Sequence, residues 1–449
     1  MRDIVLVLAT LGFLPLCLRY PAAGAICWAW FSIMSPHRQV YGFAVGQQFN
    51  LVIAVATLLG WLFSAERKRW TPDLMPKLML VFVLWMTFNS FFAPFPDSSW
   101  GYWEQTVRAL ALVFLVFFIA NTKARIHGLI WILVISLGYY GVKGGIFTIS
   151  SGGNYIVYGP EASIIRDNNQ LALAVVMAVP LVNYLRMHTK IRLLQLGLAA
   201  AIFLEVVMVL GSHSRGGAIA LGVMLFIFWL STRNKVLYGL AGVALVAVAL
   251  SLMPDSFWGR LDTISNPGSD SSFMGRVNAW NVATQVAIDR FPFGAGFAAP
   301  QLPSIFNRYL PGETARAAHS IYFQVLGEHG FIGLVLYLLI IVLALRNAGI
   351  IMRQTRGRPE LLWAYDLANM IRVALIGFCT GGAALSMAYF DGFLLLVALL
   401  STLRELTAPE RLPGPAAMQV GAKAFAGAVP FEPARSAIPP AGQARMPPG

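Results

Sequence analysis

The run RLLQLGLAAAIFLEVVMVLG (Arg192 to Gly211), the link Ser212-His213-Ser214-Arg215, and the run GGAIALGVMLFIFWLS (Gly216 to Ser231) decide how the rest of the chain is read. Each run is close to the ~20 apolar residues that cross a hydrocarbon core as a helix. Neither alternates polar and apolar residues, as a strand of a membrane barrel would. From Leu193 to Ser231 only Glu205 and Arg215 carry charge.

Working outward, similar blocks recur near 3–18, 21–34, 48–64, 76–92, 105–121, 127–148, 168–187, 236–253, 320–345, 367–388 and 391–404. The first two are short and read as a hairpin or a broken unit, so 12 or 13 spans are expected. The 449 residues are 57% hydrophobic and 12% charged. A soluble domain has about half apolar and about a quarter charged residues, which excludes an ordinary soluble enzyme and a disordered scaffold. Cys17, Cys27 and Cys379 all lie in apolar blocks and imply neither a disulfide framework nor a metal site. The opening segment loosely resembles a signal peptide; without a convincing cleavage site it reads as a retained span. The expected fold is all-α: a polytopic helical membrane domain over 1–405, with one large extracytoplasmic loop at 254–319 containing short helices. Nine of the 25 prolines lie between Pro409 and Pro448. Residues 406–449 therefore read as a disordered Pro/Ala-rich cytoplasmic tail.

The net charge of +13 divides between the two sides. Eighteen positives fall in one set of loops, among them Arg67 to Arg69, Lys123, Arg125, Arg186 to Arg192, Arg346 to Arg358 and Arg404. The positive-inside rule makes that set cytoplasmic. The alternate loops hold ten: Arg38, Arg108, Lys143, Arg166, Arg215, Arg260, Arg276, Arg290, Arg308 and Arg316. Nine of these are Arg, the side chain that grips phosphate or carboxylate at two points. A GC-rich genome would also favour Arg everywhere. No nucleic-acid partner is implied.

Four outer stretches carry candidate chemistry. In Gly211-Ser212-His213-Ser214-Arg215-Gly216-Gly217, an N-capped helix start would aim free N–H groups at an anion, with Arg215 adding charge; a tight turn with a snorkelling Arg is the alternative. Around Gly275-Arg276, the residues Val277, Trp280, Ala283, Val286, Ala287 and Phe291 recur at helical spacing and predict an amphipathic helix on the membrane or the bundle. Arg276 in its first turns opposes the helix dipole, which suggests a ligand, or else an ion pair with Asp270. In Arg316-Ala317-Ala318-His319-Ser320, His319 can exchange a proton near neutral pH, or simply bond a loop carbonyl. Tyr158 to Gln170 places Arg166 at an outer helix start. Glu205, about two turns below the Ser-Arg-Gly turn, is a functional candidate because it is an intramembrane carboxylate, or a partner for an Arg. No metal-ligand spacing, Walker motif or dinucleotide motif occurs, so no metal or cofactor is expected.

The ordered set resembles the O-antigen ligase/polymerase superfamily of bacterial inner-membrane proteins. The matching marks are Ser214-Arg215-Gly216, Gly275-Arg276 with Trp280, Pro292 with Gly294 and Gly296, and His319-Ser320 with Glu328-x-Gly330. Ser320 departs from the Asn that many members carry. The opening, Arg2-Asp3-Ile4 through Ser35-Pro36-His37-Arg38, resembles the subgroup of O-glycosylation ligases associated with exosortase systems. The resemblance implies a multi-pass inner-membrane enzyme whose active site faces the periplasm. It would be a metal-independent, inverting glycosyltransferase. Its donor would be a glycan on undecaprenyl diphosphate and its acceptor a hydroxyl of a lipid, protein or glycan. Arg215 and Arg276, with Ser214 and Gly216, would hold the diphosphate; His319 would take the acceptor proton; Arg166, Arg316 and Glu205 are secondary candidates. A polymerase would share every one of these residues. A transporter would instead place charges deep in several spans and use paired half-helices. A structural scaffold would leave the outer arginines without a role.

Overall fold

The computed structural model describes residues 2–68, 70–161, 163–232, 234–251 and 271–409. Among the described residues there are α-helices, short 3-10 turns and no strand. The first ten helices are α1 (Arg2–Arg19), α2 (Pro21–Ile33), α3 (Phe49–Phe63), α4 (Leu74–Phe91), α5 (Pro96–Ile119), α6 (Lys123–Ser150), α7 (Asn168–His188), α8 (Arg192–Gly211), α9 (Arg215–Ser231) and α10 (Lys235–Ser251). After the undescribed residues 252–270 come α11 (Ser271–Asp289), α12 (Pro303–Tyr309), α13 (Ile321–Thr355), α14 (Leu362–Gly382) and α15 (Asp391–Leu406). Every span expected from the apolar blocks has its helix. Seven helical segments are long and apolar enough to cross a membrane, and Phe49–Phe63, Arg215–Ser231 and Lys235–Ser251 are shorter apolar helices. The protein is an all-helical, polytopic membrane protein. The start of the outer loop (254–270, with Arg260 and Asp270) and the tail from residue 410 lie outside the described residues.

Local chemistry fixes where the helices begin. Pro21, Pro96 and Pro303 each occupy a first helical position, where the missing N–H costs nothing. Asp73, Thr122, Asp167 and Ser214 cap α4, α6, α7 and α9 with side-chain oxygens. Pro96 starts α5 nine residues before the expected apolar block.

The α7 helix is the central post. Every residue from Leu171 to Leu185 is buried, against α6, α8, α9 and α14. Apolar burial drives little association inside a bilayer, so close packing of small residues matters more. Gly141, Gly144 and Gly145 of α6 meet Glu205, Met208 and the Leu204 backbone of α8, and Gly381 of α14 meets Leu173 and Ala220.

At one end of the bundle the charges serve packing. Asp73 is buried and accepts from Arg404 (2.7 Å), Asn347 (2.7 Å) and Ser401 (2.7 Å), joining α4, α13 and α15. Glu66 receives both guanidinium nitrogens of Arg125, at 2.7 and 2.8 Å. These residues belong to the basic loop set.

The α13 helix is broken at Gly330, whose φ of 69° and ψ of −169° leave the helical region. The break diverts the carbonyls just before it to other donors. Gly327 O accepts from Ala295 N (2.9 Å), and Glu328 O from Gly296 N (2.9 Å) and Asn89 Nδ2 (2.7 Å). His329 O accepts from Trp85 Nε1 at 2.8 Å. A strap over 292–298 thus seals the broken ladder, as non-helical backbone at membrane depth requires. Gly294 lies on the backbone of Glu328 and His329, and Gly330 on that of Pro292 and Phe293, so neither leaves room for a Cβ. The Pro-Gly-Gly and Glu-x-Gly stretches of the sequence are two halves of this one joint.

Candidate functional site

His319 is the residue about which the opposite end of the bundle is organised. It precedes α13 in a left-handed conformation, φ 44°. Burial, and then the charge of Arg276, hold its pKa below the ordinary imidazole value; the Asp167 carboxylate opposes this and Arg316 adds to it. The ring is therefore neutral at neutral pH and can accept a proton.

The surroundings come from four elements. Asp167 caps α7 by accepting from Asn169 N at 2.9 Å. The next residue, Asn168, donates to Ser212 O at 2.7 Å and ties the start of α7 to the α8–α9 turn. Ser214 closes that turn: its hydroxyl accepts from Gly217 N (2.9 Å), and Arg215 is the first residue of α9. Gly216 sits in ordinary contact with Ala384 beyond α14. Arg276 lies early in α11, and the Arg316 guanidinium lies against the adjacent Gly275. Trp280 donates to Ala318 O at 2.7 Å and stacks on Phe323 with centroids 5.1 Å apart, clamping α11 to the start of α13.

The helix of the outer loop packs on α13, where Ala283 meets Gly327, and its Ala279, Val282 and Val286 build a small separate core with Ala295, Ala299 and Phe306 of the outer segment. Of its expected apolar face, Phe291 stands apart at 71% exposure because the helix has already ended at Asp289.

The secondary candidates divide. Arg316 joins Arg276 beside His319. Arg166 turns away into an exposed 2.7 Å pair with Glu161. Glu205 is fully buried between α8 and α6, and neither carboxylate oxygen has a hydrogen-bond partner among the described residues; an arginine partner is not found there. Ser320, at the cap position of α13, makes no cap bond, and its buried hydroxyl has no partner among the described residues.

Sequence reasoning missed Asp167 as a neighbour of His319, although it stood in a quoted stretch. It also missed a cleft of about 720 Å³ that reaches Ala317 and Ala318, immediately before His319. On the lipid side, α7 to α10 enclose an almost wholly apolar groove of about 1080 Å³ that begins at Gly222, two turns beyond Arg215.

These features define a multi-pass membrane protein with an arginine–histidine site at one end of the bundle. Residues 198–338, which include Arg215, Arg276 and His319, match the family described as O-Antigen ligase, and residues 1–190 match a family of unknown function (DUF5935). The first match supports the O-antigen ligase superfamily and a glycan-processing activity of ligase or polymerase type. No curated protein matches the sequence.

Proposed function

We propose that the protein transfers a glycan from an undecaprenyl-diphosphate carrier to an acceptor hydroxyl, at the periplasmic face of a bacterial inner membrane. The observation that carries this reading is the convergence of Arg276 and Arg316 on a partly buried His319 at the helix ends. The acceptor oxygen attacks the anomeric carbon, and its proton passes to the neutral His319. The bond from that carbon to the diphosphate breaks, and the electron pair leaves with the diphosphate. Arg276, with Arg215 at the start of α9, meets the negative charge that grows on the leaving group. Attack opposite the diphosphate inverts the anomeric centre. Arginines supply the positive charge in this scheme, so it requires no metal.

The apolar groove along α7 to α10, which runs from Gly222 to Arg186 and Lys235, offers a surface on which a polyprenyl tail could lie. A ligase and a polymerase differ only in the acceptor. Reconstitution of the purified chain with lipid-linked glycan tests the reading: transfer without nucleotide is expected, and varying the acceptor separates the two. Donor left intact with every acceptor would remove the proposal.

A further inference from the structure

The cleft beside His319 has a composition that diphosphate binding does not explain. One wall comes from residues 1–190, through Gln47, Gln48, Asn50, Tyr102 and Gln105. The facing wall carries Gln301, Phe323, Gln324 and Ser386. The side chains of Gln47, Gln48, Gln105 and Gln301 make no hydrogen bond among the described residues. Three further polar atoms on this cleft, His37 Nδ1, Asn50 Oδ1 and Ser386 Oγ, are buried without a partner. Burying such an atom is costly unless something meets it. The cleft carboxylates are committed elsewhere: Glu328 accepts from Tyr389 (2.7 Å) and Ala298 N (3.0 Å), and Asp391 from Ser32.

We infer that this cleft recognises carbohydrate and holds the glycan portion of a substrate next to His319. This rests on the glycan-transfer reading above. The chemistry selects the ligand class. A sugar hydroxyl donates one hydrogen bond and accepts others, and an amide side chain offers both complements, whereas a carboxylate or a guanidinium offers one. Tyr102 is 49% exposed and presents a ring to the apolar face of a pyranose. A lipid tail would leave the amides unpaired; of the two arginines that line the cleft, Arg108 is already paired with Glu104, so a bare phosphate would meet Arg38 among a majority of uncharged amides. The region of unknown function then supplies half of a sugar site, and the ligase-like region supplies the other half together with the reacting groups.

The glycan can be that of the donor or that of the acceptor, and two probes separate them. One is the repeat-unit oligosaccharide freed from its carrier by mild acid. The other is the acceptor oligosaccharide stripped of its lipid or peptide. Binding of each to the full-length protein in detergent is measured by titration calorimetry. One probe is expected to bind, with affinity reduced at least ~10-fold in the Gln105→Ala/Gln301→Ala double variant, and independently in Tyr102→Ala. His319→Ala should bind like the parent. Failure of both probes to bind the parent, or parent-like binding by both cleft variants, overturns the inference and leaves the cleft a hydrated channel. Should His319→Ala keep full transfer while the cleft variants lose binding, the catalytic reading falls and the sugar site stands. The side chains of Gln105 and Gln301 make no hydrogen bond among the described residues, and an unchanged melting temperature confirms that the variants are folded.

Discussion

The two ends of the bundle use charge in opposite ways. At the basic-loop end, Glu66 and Asp73 are matched to Arg125 and Arg404, and Asn347 and Ser401 complete the coordination of Asp73. At the other end two arginines bear on one histidine, and among the described residues Asp167 opposes them. Matched charge holds helices together and orients the chain. Same-sign charge gathered around a proton acceptor keeps that acceptor neutral and leaves positive potential for a ligand.

The largest effect expected from breaking this contrast is at the histidine end. His319→Ala should lower transfer by about 10²–10⁴-fold, the usual weight of general-base catalysis, with melting temperature and membrane insertion unchanged. Parent-level transfer would remove His319 from the mechanism. Next comes Asp73→Ala at the other end, which leaves Arg404 facing a gap. It should cost about 1–3 kcal/mol of stability, because Asn347 and Ser401 lose their buried acceptor while Arg404, 35% exposed, can turn to solvent. Its transfer rate per folded molecule should stay at the parent level; a specific loss of rate would mean that the two ends are coupled.

The pH dependence sharpens the contrast. Neutral His319 is the active form, so transfer should fall as pH drops through its pKa, with an inflection below the ordinary imidazole value of about 6.5. Arg316→Ala removes a charge that disfavours the imidazolium, so the acid limb should move to higher pH. Asp167→Asn keeps a capping oxygen but removes the opposing charge, so the limb should move lower. A limb that moves with neither substitution would belong to another group. The smallest effect expected is that of Glu66→Gln. Arg125, by its hydrogen bond, holds the Glu66 pKa below the carboxylate range, so the pair contributes above that range and its contribution is lost as pH falls through the lowered value. The pair is partly exposed, so the change should not exceed about 1 kcal/mol, read as a small shift in melting temperature at neutral pH that vanishes in acid.

The helices were legible because a bilayer acts on contiguous apolar stretches, and thirteen such stretches became helices, though α5 starts nine residues early and α13 runs to Thr355, ten residues past its apolar block. The site was legible in part. Arg276, Arg316 and His319 are conspicuous in a chain with so little charge, and the structure gathers them. Arg166 has its carboxylate five residues upstream, a local partner that the sequence already displayed. The pairing of Gly294 with Glu328 and of Gly330 with Pro292 could not be read, since nothing local says which carbonyl meets which N–H across the fold. The cleft was invisible for a related reason: its amides are uncharged, ordinary in composition, and spread from Gln47 to Gln324.

The sealed break in α13 also bears on how the protein is made. Its hydrogen bonds join the strap at 292–298 and the carbonyls of 327–329 to Trp85 and Asn89, which lie more than two hundred residues earlier in the chain. Contacts of such long sequence separation form late. A ribosome that has released everything up to the strap has still not supplied the helix the strap closes on. The half of the molecule that stands ready earliest in synthesis, α1 to α10, therefore waits for α13 before His319 has fixed surroundings, and the site is completed among the last parts of the nascent chain to take shape.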